Sequence, residues 1–420
     1  MLALSLASPG QTVPPTPAPE STDQLVQQAL ESNPEIRVAV RRLSLAQIKT
    51  STAGSLDDPM LMVRDWNTPL RQPWNLNQAQ VMVGLQQTFV GRDKREMRAR
   101  IAGDEANIAA VELETMRQEI AAEVRKACAD LKRSANEMKL HDRQMALLKE
   151  ALSVALAQYS AGKVPQVDVL RAQMAVTRLS EHLIELDQER DEARARLNAL
   201  RGRRTDEPVE VAGGYESVTG LPPIEELERI ALDHRPELEA LRRQTAKSRD
   251  EGALARLAMK PDFTVALGYM LMPSGSYARS GYMAELTMNL PRLNRERHEG
   301  EAKQTDAASS LTEAELEARA NSVFLELRQA QIAVLASQRQ ARLYRETLMP
   351  QAESAFQAAT AAYRNNRADF LNLIDSQNLL LDIETQEYKA LAAADAGIAQ
   401  LERAIGAPLT STASAERTSK

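Results

Sequence analysis

A mainly α-helical chain with a small β part, made of one unit repeated in tandem, is the fold class that three observations on this sequence predict. The first is an internal repeat. Leu25-Val-Gln-Gln-Ala-Leu-Glu-Ser-Asn-Pro-Glu-Ile returns as Leu227-Glu-Arg-Ile-Ala-Leu-Asp-His-Arg-Pro-Glu-Leu, Tyr159-Ser-Ala-Gly-Lys-Val returns as Tyr363-Arg-Asn-Asn-Arg-Ala, and Leu197-Asn-Ala-Leu-Arg-Gly returns as Leu401-Glu-Arg-Ala-Ile-Gly. The offset stays at roughly 200 residues, far above the period of about 20–50 of solenoid repeats. The second is a pair of very long proline-poor stretches rich in helix formers. The third is a change of period, from 3.6 to 2, at the same place in each repeat.

Each repeat opens on an amphipathic helix and then turns to strands. In the first, Val81, Val83 and Leu85 alternate with Gln80, Met82, Gly84, Gln86 and Thr88, after a run Met60-Leu-Met-Val-Arg across a loop holding Trp66 and Trp74. In the second, Phe263, Val265, Leu267, Tyr269 and Leu271 alternate with Thr264, Ala266, Gly268 and Met270. After a Pro273-Ser-Gly-Ser turn, Tyr282, Ala284, Leu286, Met288 and Leu290 alternate with Met283, Glu285, Thr287 and Asn289. Strands of about ten residues with one apolar and one polar face fit a membrane β-barrel. Taken alone they favour a soluble sheet laid on a helical core, since the barrel signal is weak per segment. Four strands cannot close a barrel, and open edges are not tolerated in lipid, so a barrel would need several copies of the chain.

The long helices follow. From Arg92 to Tyr159 there is no proline, and at ~1.5 Å per residue such a helix would be on the order of 100 Å long. Ile120, Val124, Ala127, Leu131, Ser134, Met138, His141, Met145, Leu148, Leu152, Ala155 and Tyr159 step by four and three, the spacing of a coiled-coil seam. The second repeat carries Val323, Leu327, Ala330, Val334, Ser337, Ala341, Tyr344 and Leu348 in the same rhythm. A break at 160–166 uses Gly162 for a left-handed helix end and Pro165 to start the partner helix. In the second repeat Asn365 and Asn366 are expected to do the same left-handed work. The organisation expected is a signal remnant and Pro-rich leader (1–20), a first repeat (21–202, β-hairpin 59–90, helical hairpin 92–201), a linker (203–222), a second repeat (223–407, β-hairpin 261–291, helical hairpin 293–405, tip 364–368) and a tail (408–420).

Composition narrows the function. Net charge is −6 with both signs interspersed, so no basic footprint argues for nucleic acid. One cysteine, Cys128, excludes an internal disulfide and a Cys-rich metal site. Gly-rich phosphate loops, His-Glu-x-x-His and triad contexts are lacking, so neither an enzyme nor a bound cofactor is expected. His141, His182, His234 and His298 are scattered, and His141 on the seam reads as a packed histidine. Met60, Met62, Met82, Met270, Met272 and Met283 fall on the polar strand face. Thioethers suit Cu(I) and Ag(I), but methionine as a flexible filler is the preferred reading, and no firm metal site is expected.

Long duplicated helical hairpins with one strand hairpin per repeat, the Asn-Pro-Glu and Arg-Pro-Glu openings and the Tyr-x-x-Gly/Asn tips resemble the TolC-like outer-membrane efflux proteins over about 21–407. The heavy-metal branch of CusC- and CzcC-like proteins is similar in length and layout. The resemblance implies a homotrimer in outer-membrane lipid, whose four strands per chain form a 12-stranded barrel continuous with a periplasmic α-helical tunnel. It implies two partners, a periplasmic adaptor (membrane fusion protein) and an inner-membrane transporter of the RND type. It also implies a gate near the tip, at Asp375, with Asn372 at a position that is acidic in some relatives and Asp168 as the first-repeat counterpart. Adaptor contacts would fall on Gly162, Lys163, Val164, Asn365, Asn366 and Arg367. Gln80, Met82, Gln86, Thr88, Met283, Glu285, Thr287 and Asn289 would face the lumen. The cargo stays open between metal cations such as Cu/Ag or Co/Zn/Cd, drugs and secreted protein. A periplasmic adaptor or a coiled-coil scaffold is the competing class.

Overall fold

The computed structural model describes residues 18–66, 80–215, 220–271, 280–365 and 370–409. The chain runs α1 (Thr22–Ser32), α2 (Pro34–Ala53), β1 (Met60–Trp66), β2 (Gln80–Phe89), α3 (Arg92–Ser160) and α4 (Gln166–Leu200). The second repeat gives α5 (Ile224–His234), α6 (Pro236–Leu257), β3 (Phe263–Leu271), β4 (Ser280–Met288), α7 (Arg295–Leu343), α8 (Met349–Arg364) and α9 (Phe370–Ile405). The four strands make one antiparallel sheet in the order β1-β2-β3-β4, so the central β2–β3 pair joins the two repeats.

Two compact units result, and each draws on both repeats. The first, within 1–37, 116–235 and 323–420, is helical. The second, within 38–115 and 236–322, holds the sheet and the helix segments beside it.

In the helical unit, the seam of α3 is buried from Ile120 through Val124, Ala127, Leu131 and Ser134 to His141, Leu148 and Ala155. Tyr159, the last seam position expected, is instead 45% exposed, because the helix ends one residue later and its partner helix starts only at Gln166. Cys128 is fully buried, and that burial pushes its thiol up to about 12. Near the hairpin ends Leu148, Ala172, Leu179, Leu373 and Ile374 form one apolar cluster that binds both hairpins, with Phe356 and Tyr363 packed against it.

Three local features differ from the sequence reading. Each opening helix is two helices, broken at Asn33-Pro34 and at Arg235-Pro236. The chain extends before the proline, as the ring demands; Asn33 has ψ 130° and Arg235 ψ 117°. The long helix of the second repeat is not continuous. Tyr344–Leu348 is a π-helical turn directly before α8, whose second residue is Pro350. Proline offers no N–H and crowds the carbonyl four residues back, and the wider turn relieves both. Finally, Asn365 is not left-handed: its φ is −93°. Its side-chain amide donates to the Ala361 carbonyl at 2.8 Å, so the helix end is satisfied without positive φ. Asn366 lies outside the described residues.

Candidate functional site

The sheet separates its side chains cleanly. Because successive residues of a strand point to opposite faces, the pairing registers decide every position. Met62 pairs with Gly84, Gly84 with Gly268, and Gly268 with Met283, one rung across all four strands. The next rung on that face is Arg64, Met82, Met270 and Gly281, and the rung on the other side is Met60, Gln86, Ala266 and Glu285. Gln80, Met82, Gln86, Thr88, Met283, Glu285 and Thr287 therefore share one face. Asn289 follows β4 and accepts a bond from the Asp262 N–H at 2.7 Å. Met272 lies outside the described residues.

The opposite face is apolar and open. Leu61, Val83, Leu85, Leu267, Leu286 and Tyr282 are all exposed there, Tyr282 to 92%. Tyr269 meets Tyr282 edge to face with ring centroids 5.5 Å apart. The outer strands β1 and β4 each leave one edge without a strand partner among the described residues. A polar-faced sheet with an uncovered aliphatic and aromatic face is built to meet something apolar on that side.

The polar face is bridged. The Arg64 guanidinium donates to Glu285 at 3.1 Å, joining β1 to β4 over the two strands between them, so this face is concave. Thr88 and Thr264 hydroxyls pair at 3.1 Å lower on the same face.

In the helical unit, the tip of the first hairpin is held by its glycine. Gly162 has φ 67°, its N–H reaches the Tyr159 carbonyl at 2.9 Å and the Lys163 N–H reaches the Gln158 carbonyl at 2.9 Å. That pair of bonds is the glycine-terminated helix end expected where a chain must reverse. Gly162 and Lys163 are exposed and Val164 is half-buried; Asn365 is exposed at the second tip. Arg367, like Asn366, lies outside the described residues. Tyr363 links the hairpins through its hydroxyl, 3.3 Å from Gln158 Oε1.

Asp168 and Asp375 occupy different settings. Asp168 sits in the first turn of α4, its backbone N–H bonded to the Pro165 carbonyl and its carboxylate 3.9 Å from Arg171. The positive helix end accounts for an acid there. Asp375 is in the second turn of α9, beyond that influence, and is exposed, as is Asn372. It lines a groove of about 500 Å³ between α3, α4 and α9. The same groove holds Arg171, Arg178, Lys389, Asp382 and the pair His141 and His182. The two imidazoles lie 4.7 Å apart, and His141 donates from Nδ1 to the Glu137 carbonyl at 2.8 Å. Burial, and secondarily His182, holds His141 below the ordinary histidine range. No group of three or more His, Cys, Asp or Glu able to hold a metal occurs among the described residues.

Known proteins share this layout. The sequence pattern described as "Outer membrane efflux protein" matches twice, over 25–203 and 227–407. The chain belongs to the outer membrane efflux protein family. The cobalt-zinc-cadmium resistance protein CzcC of Cupriavidus metallidurans is 23% identical over 313 residues, 74% of each chain. The solved structure of CusC is similar with a TM-score of 0.77 at 14% identity, covering 97% of this chain and 99% of that one. The outer membrane protein VceC of Vibrio cholerae is similar with a TM-score of 0.76 at 18% identity, covering 92% and 96%.

Membership places this efflux protein in the outer membrane, and no helix among the described residues is long and apolar enough to cross a bilayer. Membership also sets aside the adaptor and scaffold readings. Sequence reasoning missed the Arg64–Glu285 bridge, the His141–His182 stack and the cations around Asp375. Only spacing could have signalled them: His141 lies on a seam position, while Arg171, Arg178 and His182 recur along α4 at helical intervals facing it.

Proposed function

We propose that this chain is one protomer of a trimeric exit duct, in which three four-stranded sheets close a 12-stranded barrel and the helical hairpins form the periplasmic tunnel. The sheet carries the reading. It has an uncovered apolar face and two open edges, and in lipid every backbone donor and acceptor must be paired, so the edge of β1 meets the edge of β4 in a neighbouring copy. The polar face then lines the lumen, with Gln80, Gln86, Thr88, Thr287 and Asn289 in contact with water.

The duct serves a tripartite pump. A periplasmic adaptor docks on the tips around Gly162–Val164 and 365–367, and an inner-membrane transporter of the RND type supplies the energy. The cargo is heavy-metal cations, which the likeness to the cobalt-zinc-cadmium resistance protein CzcC supports. Asp375 forms the gate, with Asn372 on the preceding turn of α9 and Asp168 as its first-repeat counterpart on α4. Repeated three times, such carboxylates favour cation passage through the mouth of the tunnel.

Planar-bilayer recording tests this. The purified protein is expected to form cation-preferring pores, and Asp375→Ala to lower the cation preference without abolishing conduction. Absence of pores from a folded preparation contradicts the duct; unchanged selectivity in Asp375→Ala contradicts the gate alone.

A further inference from the structure

Methionine is distributed unequally over the sheet. Of the fifteen in the chain, Met60, Met62, Met82, Met270 and Met283 stand on the polar face of the four strands and only Met288 on the apolar face. The apolar face carries mostly Leu, Val, Phe and Tyr, with Asp65, Gln87 and Ser280 toward its ends, whereas the polar face has no Leu, Val, Phe or Tyr among its paired residues. A general need for flexible filler would not sort by face.

The rungs show why they meet. Gly84 and Gly268 stand side by side at the centre of one rung, with Met62 and Met283 at its ends. Met82 and Met270 are directly paired on the next rung. A Cβ at Gly268 would lie 3.0 Å from Met82 Sδ, and one at Gly84 would lie 2.5 Å from the Leu267 carbonyl oxygen. The missing Cβ of Gly268 thus leaves a hollow into which the Met82 thioether leans, and Gly84 lets the β2 and β3 backbones lie close beneath it. Met82 is fully buried, Met62 is 9% exposed, and Met270 and Met283 pack against them. The Arg64–Glu285 pair comes from the two flanking rungs and crosses above the hollow. Glu285 neutralises the arginine, so no unpaired cation stands over the sulfurs.

We propose that Met62, Met82, Met270 and Met283 form a thioether site for a soft monovalent cation, Cu(I) or Ag(I). Thioether sulfur is a soft, uncharged ligand that suits these ions and binds zinc and cobalt poorly. A neutral set of this kind holds a singly charged ion without the charge cost of a thiolate cluster. The place of this site on an export route rests on the duct reading above; the site itself belongs to a single chain.

Silver(I) added to full-length protein carrying ¹³C-methyl methionine tests it. The methyl signals of Met62, Met82, Met270 and Met283 are expected to shift, that of Met288 to stay, and zinc(II) to move none of the four. Calorimetry is expected to find silver bound, and Met82→Leu/Met270→Leu, a pair of substitutions that keep the volume and the apolar character, to weaken it at least tenfold. The proposal is overturned if the four methyls stay still with silver, if zinc moves them equally, or if the double variant, folded by circular dichroism, binds as well as the parent. Potassium chloride conductance of the same preparation separates the two readings: pores without silver binding overturn this site only, and silver binding without pores overturns the duct only.

Discussion

The two repeats close their helical hairpins against their opening helices in the same way, with different residues. In the first, Asn33 ends α1, caps α2 by accepting from the Glu35 and Ile36 N–H groups at 2.7 and 3.1 Å, and donates to the Leu200 carbonyl at 2.8 Å. In the second, Arg235 stands in that place. It donates to the Ala404 carbonyl at 3.4 Å and pairs with Glu326. Beside each, a left-handed glycine passes under the break: Gly202 at φ 63° and Gly406 at φ 73°. A Cβ would fall 2.7 Å from the Ser32 oxygen at the first and 2.7 Å from the His234 oxygen at the second. Where the backbone itself makes the contact the repeats agree, because no side chain can substitute; where a side chain reaches a carbonyl, two chemistries serve.

The seams diverge further. The first repeat buries Ser134, Glu137, His141 and Gln144 along α3, while the matching Ser337 and Tyr344 of the second are only half-buried. The helix that carries the first seam, α3, is unbroken, and the one that carries the second is interrupted by the π turn.

The glycines give the largest expected effects. Gly406→Ala adds a left-handed penalty and a backbone clash, together about 3 kcal/mol, and Gly202→Ala should match it to within about 1 kcal/mol. Gly162 has a similar φ of 67° but nothing within 4 Å of its added Cβ, so Gly162→Ala should cost only about 1 kcal/mol. Urea unfolding followed by circular dichroism measures all three. Equal losses at 162 and 406 would show that the close approach does not matter.

Next comes Asn33→Ala, which removes a helix cap and a buried hydrogen bond at once, about 2 kcal/mol by the same assay. Asn33→Arg should recover part of it if the residue at this point serves only to reach the returning helix, as Arg235 does.

The histidine in the first seam adds a pH dependence the second lacks. Its folded pKa lies below the ordinary 6.5 because burial disfavours the charged ring. As pH falls through 6.5 toward that lower value, the unfolded chain takes up a proton first. Stability is therefore full above that window and is lost on acidification within it, with a slope of at most about 1.4 kcal/mol per pH unit. His141→Gln should flatten that limb in pH-dependent urea melts. The smallest effect is expected at Pro350→Ala, which lets α7 and α8 run on as one α-helix and should change stability by less than about 1 kcal/mol.

Much of this was legible in the residues. Period and phase gave the strand faces, and proline, glycine and the seam rhythm marked α3 and α4, since each depends on neighbours in sequence. The π turn before Pro350 was missed because the seam rhythm runs on through Tyr344 and Leu348, so the helix reads as continuous up to the tip. Asn365 was misread because a side-chain bond to Ala361 replaced the backbone device. The Arg64–Glu285 bridge and the ring stack of His141 on His182 join residues far apart in sequence, and only the sheet register and the helix pairing bring them together.

The central claim, that one chain supplies a third of a closed barrel, is tested most directly by the mass of the purified protein in detergent, from light scattering corrected for bound detergent. The account predicts the mass of three chains, with bound detergent matching an apolar belt and with strand signal retained beside the helix. A single chain or a dimer, stable without detergent, would contradict it.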